Sequence, residues 1–216
     1  MLSWSPGAQL RHVLCLGAHC DDIEIGCLGT LMTLACERPD LRFTIAVFAS
    51  DELRRAETEN AVRAAFTDES RVTLKVFAFR DGYFPAQWSL IKECIEQLKQ
   101  DCEADLVLTH WERDRHQDHR TLCELAWNTF RDHPILEYEI PKYDGDLGRP
   151  NAFVPLTAGV VQRKVDTLLE SFPSQAGKRW FTADLFRGVM RIRGMECNAP
   201  SGFAEAFHAR KIRLLS

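Results

Sequence analysis

The sequence predicts an α/β fold: a mostly parallel sheet with helices on both faces. Three observations predict it. Short apolar runs alternate with longer segments of helical periodicity along most of the chain. Two of those runs, 13–18 and 106–108, lead into clusters rich in His and Asp, and an open α/β sheet binds its ligands where strands end. The length, 216 residues, suits one such domain with a core of useful size.

The elements follow in order. A strand is expected over 12–18 and a helix over 23–37. The β-branched and aromatic run 42–49 reads as a strand, and the charged, Ala-rich stretch 52–66 as a helix. Alternation predicts a strand over 71–79. Leu90, Ile91, Cys94, Ile95 and Leu98 give 89–101 a helical stripe. A short buried strand over 105–109 precedes a helix over 118–130, and 135–140 reads as a strand. Residues 141–155 then carry Pro141, Gly145, Gly148, Pro150, Asn151 and Pro155, the punctuation of a long loop. Loops of that length in compact domains are commonly functional, and Tyr143 and Phe153 favour an ordered lid. Helices over 160–172 and 182–197 and a final apolar and basic segment, 203–214, complete the chain. Trp88, Trp127 and Trp180 are expected in the core, His12 and His133 on the surface or in turns, and Arg187, Arg191 and Arg193 on a solvated helix face.

Composition narrows the function classes. The formal charge is −4, which argues against a nucleic-acid partner. No apolar stretch is long enough to span a membrane. Residues 1–11 lack the basic and apolar regions of a signal peptide. The eight cysteines include no C-x-x-C pair and sit mostly in apolar segments, so free thiols and a cytoplasmic location are expected.

The first cluster is His19-Cys20-Asp21-Asp22. Across a turn leaving a strand, His19 and Asp22 can converge, and adjacent carboxylates point in different directions. One can bind a metal while the other faces the water to be activated, a division of labour that metal-assisted hydrolysis needs. Asp-Asp at a helix start is also explained by the helix dipole alone. Glu24 is a candidate for capping the first turn or for supporting a ligand, and Gly26 and Gly29 for close packing of the first helix on the sheet. Cys20 is expected as a small core filler. The second cluster, His116-Gln117-Asp118-His119, lacks the H-E-x-x-H zinc helix. It offers one metal ligand, one histidine near the scissile group and one aspartate to orient an imidazole. Two His and one carboxylate form the ligand set of an open catalytic zinc site.

Residues 17–31, Gly-Ala-His-Cys-Asp-Asp-Ile-Glu-Ile-Gly-Cys-Leu-Gly-Thr-Leu, resemble the first signature of the PIG-L/LmbE-like N-deacetylase family, and His116-Gln117-Asp118-His119-Arg120 resembles its second. Arg54-Arg55-Ala56-Glu57 and 202–207 extend the likeness over nearly the whole chain. The resemblance implies one domain over 1–216, a Rossmann-like fold and one Zn2+ per chain hydrolysing N-acetyl groups on amino sugars. By position, His19, Asp22 and His119 would be the metal ligands. Asp21 would be the base that activates water and returns a proton to the leaving amine. A cationic His116 would stabilise the oxyanion, with Asp118 orienting it. Arg54 would contact the substrate and Asp81 would sit at the sugar hydroxyls. Cys20 replaces the usual proline and Leu28 a common glycine, and neither change removes a ligand or the base. The ligand set also accepts another divalent ion such as Fe2+. The family is compatible with a homo-oligomer.

From the residues themselves, Trp111 is a candidate to stack on a sugar ring, Tyr143 belongs to the substrate loop, His110 is expected to support the ligands, and His208 to lie outside the site. The partner expected is a small acetylated amino sugar or glycoside. Amidase action on a thiol conjugate or another acylated natural product is the neighbouring chemistry. A non-catalytic metal or redox protein is the alternative of another class. A nucleotide-binding module is disfavoured: the first turn has no G-x-G-x-x-G, and its aspartates repel a pyrophosphate.

Overall fold

The computed structural model describes residues 9–212. Most of the 1–11 stretch read for an export signal, and Arg213 and Leu214 of the final segment, lie outside the described residues. The elements are β1 (His12–His19), α1 (Asp22–Glu37), β2 (Arg42–Ala49), α2 (Glu52–Ala65), β3 (Val72–Val76), α3 (Trp88–Asp101), β4 (Leu106–His110), α4 (Gln117–Thr129), β5 (Ile135–Tyr138), β6 (Ala152–Pro155), α5 (Ala158–Ser171), α6 (Ala183–Glu196) and β7 (Ala204–Ala209). They build one seven-stranded sheet in the order β3-β2-β1-β4-β5-β7-β6. The first five strands pair in parallel, while β7 runs antiparallel to both β5 and β6. The fold is therefore the mostly parallel α/β sheet expected.

Side chains alternate across β1 as strand geometry requires. Val13 and Cys15 join a core with α1, α2, α5 and α6, whereas Leu14, Leu16 and Ala18 join a core with α3 and α4. Strand order reverses between β1 and β4, so their carboxyl ends border the crevice where such sheets bind ligands.

Helix α1 lies very close to the sheet. A Cβ on Gly26 would stand 2.2 Å from the Tyr138 ring, and one on Gly29 would stand 2.6 Å from Leu156 and 2.9 Å from Glu205 Oε1. Tyr138 uses that space to donate its buried hydroxyl to the Leu16 carbonyl at 2.7 Å. Glu205, on β7, accepts from Gly29 N (2.8 Å) and Thr30 N (2.6 Å) in the middle of α1. Lys164 of α5 donates to the same carboxylate at 2.5 Å and to the Ile25 carbonyl at 2.6 Å. This buried, fully hydrogen-bonded pair ties three elements together behind the start of α1.

Several expectations are corrected. The 141–155 loop ends in strand β6, whose residues pair with β7. The 71–79 strand stops at Val76. Phe77 N and Phe79 N still bond to β2, at 2.8 Å and 3.0 Å, but the rings turn in to pack on Phe48. The segment 203–214 contains the antiparallel strand β7. His12 is buried, with Nε2 2.9 Å from Thr44 Oγ1. Trp88 starts α3 at 40% exposure and is not core. Arg193 leaves the solvated face: it is buried and makes a two-pronged contact with Glu139, 3.0 Å at each prong. It shares an apolar stripe with Phe186 and Met190, and that spacing was the available signal. All eight cysteines are free thiols; five are buried and Cys36 is exposed. No helix among the described residues is long and apolar enough to cross a membrane.

Candidate active site

The turn after β1 is two residues long. Asp21 closes it with φ 113°, a conformation that L side chains rarely adopt, and caps α1 without a side-chain hydrogen bond. The Asp22 carboxylate folds back to accept from His19 N at 2.6 Å. Cys20 is buried beside Ser50 Oγ (3.3 Å) and, as expected, fills space beneath the turn.

The connection from β4 to α4 is longer and held by side chains. His116 caps α4 by accepting from Asp118 N through Nδ1, at 3.3 Å. Asp114 accepts from His116 N at 2.8 Å. The Asp118 carboxylate accepts from Gly82 N (2.6 Å) and Phe84 N (3.0 Å), which pins the segment after β3 against α4.

Together these turns bring His19, Asp21, Asp22, Arg54, Asp81, His116, Asp118 and His119 into one cluster. His19 Nδ1 is 3.2 Å from Asp22 Oδ2 and 3.2 Å from His119 Nε2, and His119 Nε2 is 3.4 Å from Asp22 Oδ2. Tetrahedral ligands at about 2.0–2.1 Å from a zinc ion stand roughly 3.3–3.4 Å apart, so this triangle fits one such ion. Each imidazole also has its far nitrogen on a carboxylate. His19 Nε2 lies 3.0 Å from Asp81 Oδ1 and 3.2 Å from Asp118 Oδ2, and His119 Nδ1 lies 2.9 Å from Asp114 Oδ2. Metal-binding histidines are typically held in that way. Other donor combinations also converge within 4.8 Å, including Asp22 with His110 and His119.

The electrostatics match an ion site. Burial pushes Asp22 upward, but His119, His110 and His19 outweigh it and hold the carboxyl well below the usual range. Burial opposes charge on His19 too, yet Asp22, Asp118 and Asp81 raise it well above an ordinary imidazole. Asp21 differs from its neighbour: burial, then the charge of Asp22, raises it to about 7. Arg54 stands 3.1 Å from Asp21 Oδ2, and its other nitrogen donates to Glu57 and Ser174, each at 2.8 Å. Burial, then His119 and His19, lower His116. With Nδ1 accepting from Asp118 N, Nε2–H is the donor His116 has left to offer, and the lowered value disfavours the expected imidazolium.

Two roles are corrected by this geometry. Asp118 does not orient His116 through its carboxylate; that carboxylate holds His19, because the side chain of the second helical residue reaches across to the β1 end. Trp111 has one face already covered. His208 stacks on it at 4.4 Å and 7°, and Gly148 closes on its benzo edge. Tyr143 is carried on the loop at 74% exposure. His110, buried, stacks on His119 at 3.9 Å with Nε2 3.3 Å from Asp22 Oδ2. The sequence reading missed Asp114 and Lys142. Asp114 stands five residues before His119 in a loop with no periodicity, so only its acidic type near a histidine pair was visible.

Fold and cluster define a class: a doubly wound α/β protein with a histidine–carboxylate cluster at its switch point whose donors could hold a metal ion. The profile of the PIG-L family, described as GlcNAc-PI de-N-acetylase, matches residues 14–130, and the chain belongs to that family of deacetylases. It is 28% identical over 151 residues, 63% of this chain and 78% of the relative, to the uncharacterized deacetylase YaiS of Escherichia coli (strain K12). The fold is similar to that of N,N'-diacetylchitobiose deacetylase from Pyrococcus horikoshii, with TM-score 0.72 and 18% identity over 93% of this chain and 84% of that one. It is also similar to that of the 4-carboxy-2-hydroxymuconate hydratase GalB from Pseudomonas putida KT2440, with TM-score 0.70 and 15% identity over 95% of this chain and 98% of that one. The same fold thus serves a hydratase, so the fold alone does not choose the reaction.

Proposed function

We propose that this deacetylase is a zinc-dependent enzyme that hydrolyses the N-acetyl amide of an amino sugar, or of a small molecule containing one, to acetate and a free amine. The observation that carries the reading is the donor triangle of His19, Asp22 and His119 beside a second carboxylate, Asp21, that burial keeps near neutrality. His19, Asp22 and His119 would hold one zinc, and Fe2+ suits the same donors. When bound, zinc supplies Lewis acidity to the amide carbonyl and to water.

The protein's own groups do the rest. Asp21, poised at about 7, takes a proton from the attacking water and returns it to the amine, which is a poor leaving group until nitrogen is protonated. Arg54 holds the Asp21 carboxylate in place and faces the substrate. The His116 Nε2–H donates to the oxyanion of the tetrahedral intermediate. Asp118 positions His19. Asp81, largely exposed and in contact with His19, is offered to the sugar hydroxyls. The described residues 9–212 read as one deacetylase domain with 141–151, the stretch before β6, as the substrate loop, and Tyr143 is its exposed aromatic. The family description and the chitobiose substrate in the name of a structural relative support an acetylated amino sugar. The buried Cys20 thiol, raised by burial and set beside Ser50, argues against a redox role.

The test pairs elemental analysis with amine release from N-acetylglucosamine, its glycosides and its nucleotide-linked forms. One zinc per chain with amine release supports the reading. Stoichiometric zinc without release from any of them moves the substrate to another acylated compound. A chain that takes up no divalent metal overturns the mechanism.

A further inference from the structure

We propose that Lys142 is a positioning residue that fastens the 141–148 segment to the carboxylate behind His119 and thereby sets how tightly that histidine holds its cation. This rests on the reading that His19, Asp22 and His119 hold one divalent ion. The Lys142 ammonium is almost enclosed, its side chain 10% exposed. It donates to Asp146 Oδ2 at 2.6 Å and to Asp114 Oδ2 at 2.9 Å. That same Asp114 oxygen is the one 2.9 Å from His119 Nδ1. Asp114 Oδ1 accepts from His116 N, and Asp146 Oδ2 accepts from Arg115 N at 2.7 Å. One ammonium therefore joins a loop carboxylate to the carboxylate that supports a ligand. The far end of the segment has its own anchor. Gly148 N donates to Glu139 Oε1 at 2.9 Å, and Arg193 donates to the Gly148 carbonyl at 3.2 Å. Tyr143 lies between the two anchors, at 74% exposure.

The electrical consequence follows from the shared oxygen. A carboxylate on the non-ligating nitrogen strengthens an imidazole as a donor, typically by 10–100-fold in metal affinity. A cation on that same oxygen draws its charge away and repels the ion beyond. Lys142 thus holds back the push from Asp114 while keeping the segment against the site. Asp146 shares the ammonium, so it limits how much of that charge falls on Asp114.

The experiment is a zinc competition titration of the full chain against a chromophoric chelator, with steady-state kinetics alongside. Lys142→Met keeps the length and removes the charge. It is expected to tighten zinc about tenfold and to raise KM as the segment loses its tie. Lys142→Arg is expected to restore both. Asp146→Asn acts in the opposite sense: the full lysine charge falls on Asp114, and zinc binding weakens. If Lys142→Met does not fold, the Asp146→Asn shift alone decides. Zinc affinities within twofold of wild type in the folded variants, or weaker binding in Lys142→Met, overturn the inference and leave the metal site standing. A wild-type chain that binds no zinc overturns the metal reading, and this inference with it.

Discussion

The two connections that build the site are made in different ways. From β1 to α1 the chain spends two residues, Cys20 and Asp21, set by φ 113° at Asp21 and an unbroken buried run through Met32, with only the Asp22 carboxylate on His19 N and Arg54 on Asp21 and the Cys20 carbonyl as side-chain ties. From β4 to α4 it spends residues 111–116, and side chains do the holding. Asp114 takes His116 N and His119, His116 caps Asp118 N, and Lys142 reaches in from another segment. A two-residue buried turn with a strained φ has few intermediate states, whereas a longer side-chain network can lose one hydrogen bond at a time. Changes in the first connection are therefore expected to abolish function, and changes in the second to grade it.

The largest effect tests the first connection. Asp21→Asn is expected to lower kcat by about 10²–10⁴ while zinc still binds; turnover close to wild type would remove Asp21 as the base. Asp21→Gly sharpens the point. It should raise the melting temperature of the metal-free protein, since glycine adopts positive φ without strain and no charge is buried, while turnover is still lost. A melting temperature that falls would show that the turn is not strained.

Next comes His116→Ala, expected to lower kcat by roughly 10²–10³ with zinc content intact, as for loss of one oxyanion donor. Loss of zinc would instead make His116 a ligand. Asp114→Asn should weaken zinc binding by about 10–100-fold without abolishing it, measured by chelator competition. If it removes zinc altogether, the second connection is no more graded than the first.

The smallest effect concerns Glu24, buried just inside α1 with Oε2 lacking a partner among the described residues. Burial, then the charges of Asp21 and Asp22, raises it to about 8. Its folded value lies above its unfolded one, so the native protein keeps a proton that the unfolded chain releases. The stability it contributes is whole below about pH 4.5 and is lost as pH rises through about 8. Metal-free Glu24→Gln should lose fewer degrees of melting temperature between pH 6 and pH 8 than wild type, at about 2–4 °C per kcal/mol for a chain of this size. Identical slopes would mean that Glu24 is already charged in the folded protein.

Much of the fold and the site could be read from local pattern. The apolar runs of β1, β2 and β4 and the stripes of α3 and α4 are periodic over a few residues, and periodicity is set by each element's own geometry. The His19 and His116 clusters stood out because chemistry-bearing residues were concentrated where strands end. Contacts between distant segments were not legible. Strand β6 is four residues inside a Pro- and Gly-rich stretch, and its partner β7 begins some fifty residues later. Arg193 looked like a surface charge, although it sits on the buried stripe of its helix, as Lys164 does on its own. They are tolerated there because Glu205 and Glu139 meet them.

The sequence by itself determined the α/β alternation, the parallel half of the sheet and the residue types that meet at the switch point, because these depend on side-chain period and on strand ends. Tertiary structure alone decided which nitrogen of each histidine faces the triangle and which carboxylate holds the other. His19 meets Asp118 from ninety-nine residues away, and His119 meets an Asp114 that Lys142 also holds. An imidazole presents two nitrogens of similar chemistry, and only the folded backbone that brings a carboxylate to one of them leaves the other free to face the triangle.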